Sequence, residues 1–242
     1  MNNTKNWFSN WFCSPYYSIL YTERNEEEAQ HFLDNLLNYI NLDEQSSILD
    51  VACGKGRHSI YLNSLGYHVS GIDLSKNSIA EAKKHENQLL FFEEFDMRNP
   101  YPKTFDLVLN LFTSFGYFDN DFEHKKALEN LKNSINEYGL GVIDFMNTPY
   151  VLANLVTEET KTIQNIDFHI KRYEKEGYIC KEISFTDQEK DYFFTEKVRA
   201  FTLADFEQFF AELDMYILDV FGNYKLQKYY PNQSERMILI FK

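Results

Sequence analysis

Apolar residues at Ala29, Phe32, Leu33, Leu36, Leu37 and Ile40 recur at i, i+3, i+4 spacing behind an acidic first turn, which predicts an amphipathic helix over residues 26–42. The short apolar run Ser47-Ile48-Leu49-Asp50-Val51-Ala52 follows, then a glycine-bearing turn, a helical stretch to Leu65 and a second strand over residues 67–72. That sequence of periods is a βαβ unit. A helix over residues 78–85, strands over 89–93 and 105–110, a helix over 122–136 and a strand over 141–145 continue the alternation. A doubly wound, mostly parallel α/β sheet satisfies it.

From residue 168 to 201 the period falls to two at Ile179, Ile183 and Phe185, with turn chemistry at Glu176-Gly177 and Asp187-Gln188-Glu189-Lys190. This predicts an antiparallel meander inserted into the α/β core. Helical spacing returns over residues 203–213, and residues 217–220 and 237–241 read as two last strands. The organisation expected is a core of residues 46–150 and 202–242, an antiparallel insertion over 151–201, and an aromatic, helical cap over 1–45. That cap holds Trp7-Phe8, Trp11-Phe12, Tyr16-Tyr17 and Leu20-Tyr21 ahead of the first secure helix. So dense an apolar stretch must fold over something, either as a fixed cap on the sheet or as a lid over a site.

Composition narrows the function. The chain has 242 residues with 44% hydrophobic and 17% aromatic content, enough to bury a substantial core. Its 24 Lys and Arg against 37 Asp and Glu give a formal charge of −13, which repels polyanions, so nucleic acid is not an expected partner. No apolar run approaches the ~18 residues of a spanning helix, and the N-terminus lacks a signal-peptide pattern, so a cytoplasmic protein with no membrane association is expected. Cys13, Cys53 and Cys180 are widely spaced without Cys-x-x-Cys, which suits reduced thiols and no metal site.

The first strand runs into Ala52-Cys53-Gly54-Lys55-Gly56-Arg57-His58, two glycines where a strand hands over to a helix, so a ligand can approach the backbone closely. At the end of the next strand, Asp73 can accept both hydrogen bonds of a ribose diol. The pair points to a nucleotide-type cofactor at the first crossover.

These residues, Leu49-Asp50-x-x-Cys53-Gly54-x-Gly56, Gly71-Ile72-Asp73-Leu74-Ser75 and Phe95-Asp96-Met97-Arg98 before Phe105-Asp106-Leu107-Val108, resemble the successive motifs of class I S-adenosylmethionine-dependent methyltransferases of the small-molecule type. The resemblance is firm over residues 48–145 and looser at both ends. It implies a seven-stranded sheet with a hairpin-like final pair of strands and S-adenosylmethionine as cofactor, with S-adenosylhomocysteine as product. It implies that the glycine loop (Asp50, Ala52, Gly54, Gly56) lies under the methionine part, that Asp73 binds the ribose, and that Asp96 and Met97 flank the adenine. Leu74 and Asn110 complete the expected cofactor set, with Tyr21, whose place before a helix resembles the cofactor-touching tyrosine of small-molecule N-methyltransferases. Arg24 is a further candidate for the cofactor carboxylate.

An NAD-dependent oxidoreductase is the competing enzyme reading, since Gly54-x-Gly56-x-x-Ser59 approximates G-x-G-x-x-G/A. Ser59 in place of the third glycine, Asp50 ahead of the loop and the extra acid Asp96 speak against it. A non-catalytic S-adenosylmethionine-binding protein is the alternative outside enzymes.

Methyl transfer needs alignment and a dry site more than side-chain chemistry. The acceptor wall is expected at the carboxyl ends of the fourth and fifth strands, with Phe112, Tyr117 and Asn147 as substrate-binding candidates and Tyr173 on the inward face of the insertion. The absence of an Asn/Asp-Pro-Pro-aromatic pattern and the acidic charge favour a small-molecule acceptor, whose identity and reacting atom stay open. His124, His169 and Tyr117 are candidate bases and none is chosen; His124 sits in a polar helix start and reads as solvated.

Overall fold

A computed structural model describes residues 11–12, 14–21 and 26–242. Trp7, Phe8, Cys13 and Arg24, named above, lie outside the described residues. Helix α1 spans Pro15–Leu20, with proline in its first turn and the Ser14 hydroxyl accepting from the Tyr16 amide. Helix α2, Glu26–Ile40, buries Ala29, Phe32, Leu33, Leu36 and Leu37, the stripe its spacing predicts.

The βαβ unit follows as β1 (Ser47–Val51), α3 (Arg57–Ser64) and β2 (His68–Asp73). Ser75 caps α4 (Lys76–Ala82) before β3 (Leu90–Glu94). The second half runs β4 (Phe105–Asn110), α5 (Asp121–Asn133), β5 (Ile135–Met146) and α6 (Thr148–Ala153). Four strands then come in succession: β6 (Glu158–Ile163), β7 (Ile166–Lys175), β8 (Tyr178–Asp187) and β9 (Lys190–Arg199). A capping box of Thr202 and Asp205 opens α7 (Leu203–Glu212), and β10 (Ile217–Phe221) and β11 (Arg236–Phe241) end the chain.

Among the described residues these strands form two sheets. The larger has the order β10-β11-β5-β4-β1-β2-β3, with β11 antiparallel to both neighbours and the rest parallel. The chain winds outward from β1 to β3, then restarts at β4 on the other side, so the order reverses between β1 and β4. Both faces are covered. Phe32, Leu36, Leu62 and Ile79 from α2, α3 and α4 pack on one, and Ala127, Leu128, Phe206 and Phe210 from α5 and α7 on the other. The smaller sheet, β6-β7-β8-β9, is an antiparallel meander.

The structure departs from the sequence expectations at several elements and side chains. Strand β5 begins six residues early, at Ile135, and α6 and β6 were not expected. Strand β6, Glu-Glu-Thr-Lys-Thr-Ile, is a polar edge strand, so it carries no period-two signal. Tyr173 is on the outer face of the insertion: Ile166, Phe168 and Ile170 alternate inward along β7, which turns the odd-numbered residues out. His124 is fully buried, its ring in edge and tilted contact with Phe115, Phe118 and Phe201. It lies on the apolar face of α5 that also buries Ala127, Leu128 and Leu131.

Candidate active site

A cavity of about 500 Å3 opens at the carboxyl ends of β1 to β4, beside the reversal of strand order. The glycine loop forms its floor. Ala52, Gly54 and Gly56 all take positive φ (62°, 59° and 83°), which wraps the chain tightly from β1 into α3. A Cβ on Gly54 would meet nothing within 4 Å, so its left-handed backbone is the constraint there. A Cβ on Gly56 would lie 2.5 Å from the Phe92 ring, so that glycine serves packing of the loop onto β3. Gly54 lines the cavity and Gly56 does not.

Asp73 ties this floor to the next strand. Its Oδ2 accepts from the Gly54 amide at 2.8 Å and its Oδ1 from the Ser75 amide at 2.7 Å. Burial pushes its pKa up against the pull of these two amides. Each oxygen keeps a further lone pair for a diol. Asp50 lies deeper, 1% exposed, with Ser59 Oγ donating to it at 2.6 Å. Burial raises its carboxyl to about 6, against that hydroxyl. Asp96 and Met97, past the end of β3, form the opposite wall with Leu74 and Phe95. Burial acts to raise Asp96, but the Arg98 guanidinium at 2.6 Å holds it below its ordinary value. Arg98 in turn reaches Glu123 on α5 at 2.6 Å.

The far wall is the turn after β4. Phe112 and Thr113 are two successive non-glycine residues in the left-handed region, at φ 57° and 59°. Such backbone costs about 1–3 kcal/mol per residue and persists only where its surroundings over-determine it. Here Asp144, buried in β5, does so: its Oδ2 accepts from the Phe112 amide at 2.9 Å and its carbonyl from the Thr113 amide at 2.8 Å. Arg236 of β11 donates to Asp144 Oδ1 at 2.7 Å and to Thr113 Oγ1 at 3.0 Å, and the Tyr224 hydroxyl adds a 3.2 Å bond. The Phe112 ring so placed stacks on His58 at 5.0 Å and lies under the Arg57 guanidinium at 4.7 Å.

Phe12, Tyr17, Ser18 and Tyr21, from the segment before α2, also line the cavity. Phe12 meets Tyr17 and Tyr117 edge-on at 5.1 and 5.3 Å. The same segment buries Trp11 and Leu20 against Phe168, Ile170, Ile183 and Phe185 of the smaller sheet.

Of the residues singled out in the sequence, Tyr21, Asp50, Ala52, Gly54, Asp73, Leu74, Asp96, Met97, Phe112 and Tyr117 line this one cavity. Gly56, Asn110, Asn147 and Tyr173 do not. Asn110 is buried beneath the loop, its Nδ2 donating to the Val51 carbonyl at 3.1 Å. Asn147 gives both amide hydrogens to the Pro231 and Ser234 carbonyls and accepts from Tyr229, which locks the segment before β11 and leaves no group for a ligand. Tyr173 spends its hydroxyl on Glu182 at 2.7 Å, on the outer face. Neither of the last two is in reach of the cavity, which corrects their expected substrate-binding role. Glu26, at the cavity edge, was missed because an acid in the first turn of a helix reads as a dipole partner. Among the described residues no group of three or more His, Cys, Asp or Glu is placed to hold a metal ion, and no helix is long and apolar enough to cross a membrane.

Residues 48–139 match the family model described as a methyltransferase domain. A dTDP-3-amino-3,4,6-trideoxy-α-D-glucopyranose N,N-dimethyltransferase of Streptomyces venezuelae is 26% identical over 70% of this chain and 73% of its own. Glycine N-methyltransferase of Oryctolagus cuniculus is 28% identical over 55% of this chain and 52% of its own. The first curated relatives are spanned over only about half their own length. In fold, an S-adenosylmethionine-dependent methyltransferase from Clostridium acetobutylicum superposes with a TM-score of 0.79 at 22% identity, over 96% of this chain and 98% of that one. Residues 48–139 thus carry a methyltransferase domain, on a fold like that of a solved S-adenosylmethionine-dependent methyltransferase.

Proposed function

We propose that the chain transfers the methyl group of S-adenosylmethionine to an amine nitrogen of a small or medium-sized metabolite in the cytoplasm. The observation that carries the reading is one cavity lined both by Asp73, the Gly54 loop and Asp96 and by the rings of Phe12, Tyr17, Phe112 and Tyr117. The cofactor fits the residues present. Asp73 keeps lone pairs for a ribose diol, the Gly54 position is open to close approach, and Asp96 with Met97 makes a wall suited to an adenine edge and face. When bound, S-adenosylmethionine supplies a methyl group already activated by its sulfonium.

What remains for the chain is to orient the acceptor and keep water out. Phe12, Tyr17, Phe112 and Tyr117 would do both. The amine attacks as its free base, so the charge that the Phe12, Tyr17 and Tyr117 rings would favour is that of the sulfonium and of the methylated ammonium product. The Glu26 carboxylate among the lining residues suits the same charge, while the Phe112 ring is held between His58 and Arg57. The names of the two relatives above, one acting on an amino sugar and one on glycine, agree with nitrogen as the acceptor atom. In this reading residues 46–150 and 202–242 are the cofactor-binding core, 1–45 the cap, and 151–201 the acceptor-side insertion.

Calorimetry with S-adenosylhomocysteine tests the cofactor half. The wild-type protein should bind it and Asp73→Ala should bind at least tenfold more weakly, the loss of one or two charge-assisted bonds of about 1.5–3 kcal/mol each before compensation. Unchanged affinity in a folded Asp73→Ala protein would sink the assignment. Mass spectrometry of amino sugars, amino acids and hydroxylated analogues after incubation with the cofactor tests the acceptor half; methylation confined to hydroxyl compounds would refute nitrogen.

A further inference from the structure

The inward face of the smaller sheet changes character along its strands. Phe168 meets Phe185 ring to ring at 4.7 Å and Phe185 is in register with Tyr192, which makes one row across β7, β8 and β9, and Ile170, Ile183 and Phe194 make the next. Trp11, Tyr16 and Leu20 pack on these apolar rows. The third row is Arg172, Lys181 and Glu196, three charged side chains on the same covered face. The Lys181 and Glu196 side chains are only 13% and 18% exposed, with 3.6 Å between Nζ and Oε2. Arg172 is occupied elsewhere, by Glu159 of β6.

This charged row meets Tyr21. The Tyr21 hydroxyl donates to Glu196, 2.7 Å from Oε1 and 2.9 Å from Oε2, and accepts from the Lys181 ammonium. Glu196 Oε1 also accepts from Trp11 Nε1 at 2.5 Å. Lys181 Nζ lies 4.5 Å from the centre of the Tyr21 ring. Tyr21 lines the cavity, while Lys181 and Glu196 do not. An ion pair taken out of water stabilises a fold little compared with apolar residues of the same size. What this pair does provide is direction: it fixes the hydroxyl toward the insertion, and with it the position of a residue that lines the cavity.

We infer that Lys181 and Glu196 are positioning residues for Tyr21, through which the insertion governs cofactor binding from outside the cavity. The inference rests on the reading of the cavity as an S-adenosylmethionine site. It also revises the division of labour suggested by the chain order, in which the cofactor residues all precede the insertion and the insertion serves the acceptor alone.

The test is a double-mutant cycle read by calorimetry with S-adenosylhomocysteine on wild-type, Tyr21→Phe, Glu196→Gln and the double variant, each with its melting temperature. The phenylalanine keeps the ring and removes both bonds. Each single change is expected to weaken binding about fivefold to tenfold with little change in melting temperature. The double variant should be no weaker than the weaker single, and Glu196→Asp should recover part of the loss. Glu196→Gln should also shift the emission of Trp11 before ligand is added. If Glu196→Gln does not fold, Lys181→Met completes the same cycle from the other partner. Wild-type affinity in Glu196→Gln, or losses that simply multiply in the double variant, would overturn the inference while leaving the cofactor reading intact. Failure of the wild-type protein to bind S-adenosylhomocysteine would overturn the cofactor reading and the inference together.

Discussion

Replacing Arg236 by methionine keeps the length of the side chain and removes its charge and every donor. It strands Asp144, whose side chain is fully buried while that of Arg236 is 19% exposed. Breaking a buried pair from one side typically costs about 3–5 kcal/mol, because the remaining charge is left without its partner. Asp144 retains the Phe112 amide and the Tyr224 hydroxyl as donors, so the low end applies, about 3 kcal/mol. For a chain of this size each kcal/mol moves the melting temperature by roughly 2–4 °C, so Arg236→Met should melt about 6–12 °C below wild type. Asp144→Asn in the same background removes the stranded charge, so the double variant should recover about 1–3 kcal/mol of the summed single losses.

A functional signature accompanies this. The pair holds Phe112 and Thr113 in the left-handed region, and a turn released from that constraint relaxes to ordinary backbone and carries the Phe112 ring away from the acceptor side. Arg236→Met, measured well below its melting temperature, should raise KM for the acceptor and leave S-adenosylhomocysteine affinity within twofold, because the Asp73 and Gly54 end is held by separate bonds. A melting temperature within 2 °C of wild type, or strict additivity in the double variant, would refute the energetic argument. A loss of cofactor affinity as large as the loss in acceptor KM would refute the placement of that turn.

Two buried groups give the stability opposite pH trends over one window. Burial lowers His124 from 6.5 to about 4, so the folded chain binds its proton less tightly than the unfolded one; stability is full above about pH 6.5 and falls by about 3 kcal/mol toward pH 4. His124→Phe should flatten the acid limb of melting temperature against pH, and an unchanged limb would contradict it. Burial raises Asp50 from 3.8 to about 6, so the folded chain binds that proton more tightly, and its contribution is greatest below about pH 4 and is lost, again by about 3 kcal/mol, as pH rises to 6. Asp50→Asn, which can still accept from Ser59, should be at least as stable as wild type at pH 7 and should steepen the acid limb; destabilisation at pH 7 by more than about 2 kcal/mol would show that the carboxylate is needed in its charged form.

The parts of the fold and site that were legible are those in which one local rule decides the outcome. The stripe Ala29, Phe32, Leu33, Leu36 and Leu37 has no polar exception, so α2 follows from periodicity alone. Asp73 ends a strand beside a glycine turn, and its two amide bonds are made within 20 residues of chain, so the cofactor end of the cavity can be read locally. The acceptor end cannot. Asn147 and Phe112 both follow core strands, yet Asn147 is taken up by the Pro231 and Ser234 carbonyls more than 80 residues away while Phe112 faces the cavity. No period distinguishes them. His124 was misjudged for a related reason: the polar Asp121, Glu123 and Lys125 around it point away from the buried stripe of α5, and the aromatic nest that buries the imidazole includes Phe201, which arrives from beyond the insertion. Tyr21 combines both cases. Its place before α2 was readable from its neighbours, whereas the groups that hold its hydroxyl, Lys181 and Glu196, lie at least 160 residues away. A side chain whose partners are that remote is set by the register of β9 on β8, where Glu196 faces Lys181, and a one-residue slip of β9 would turn Glu196 to the outer face, part the ion pair and take the carboxylate from the Tyr21 hydroxyl.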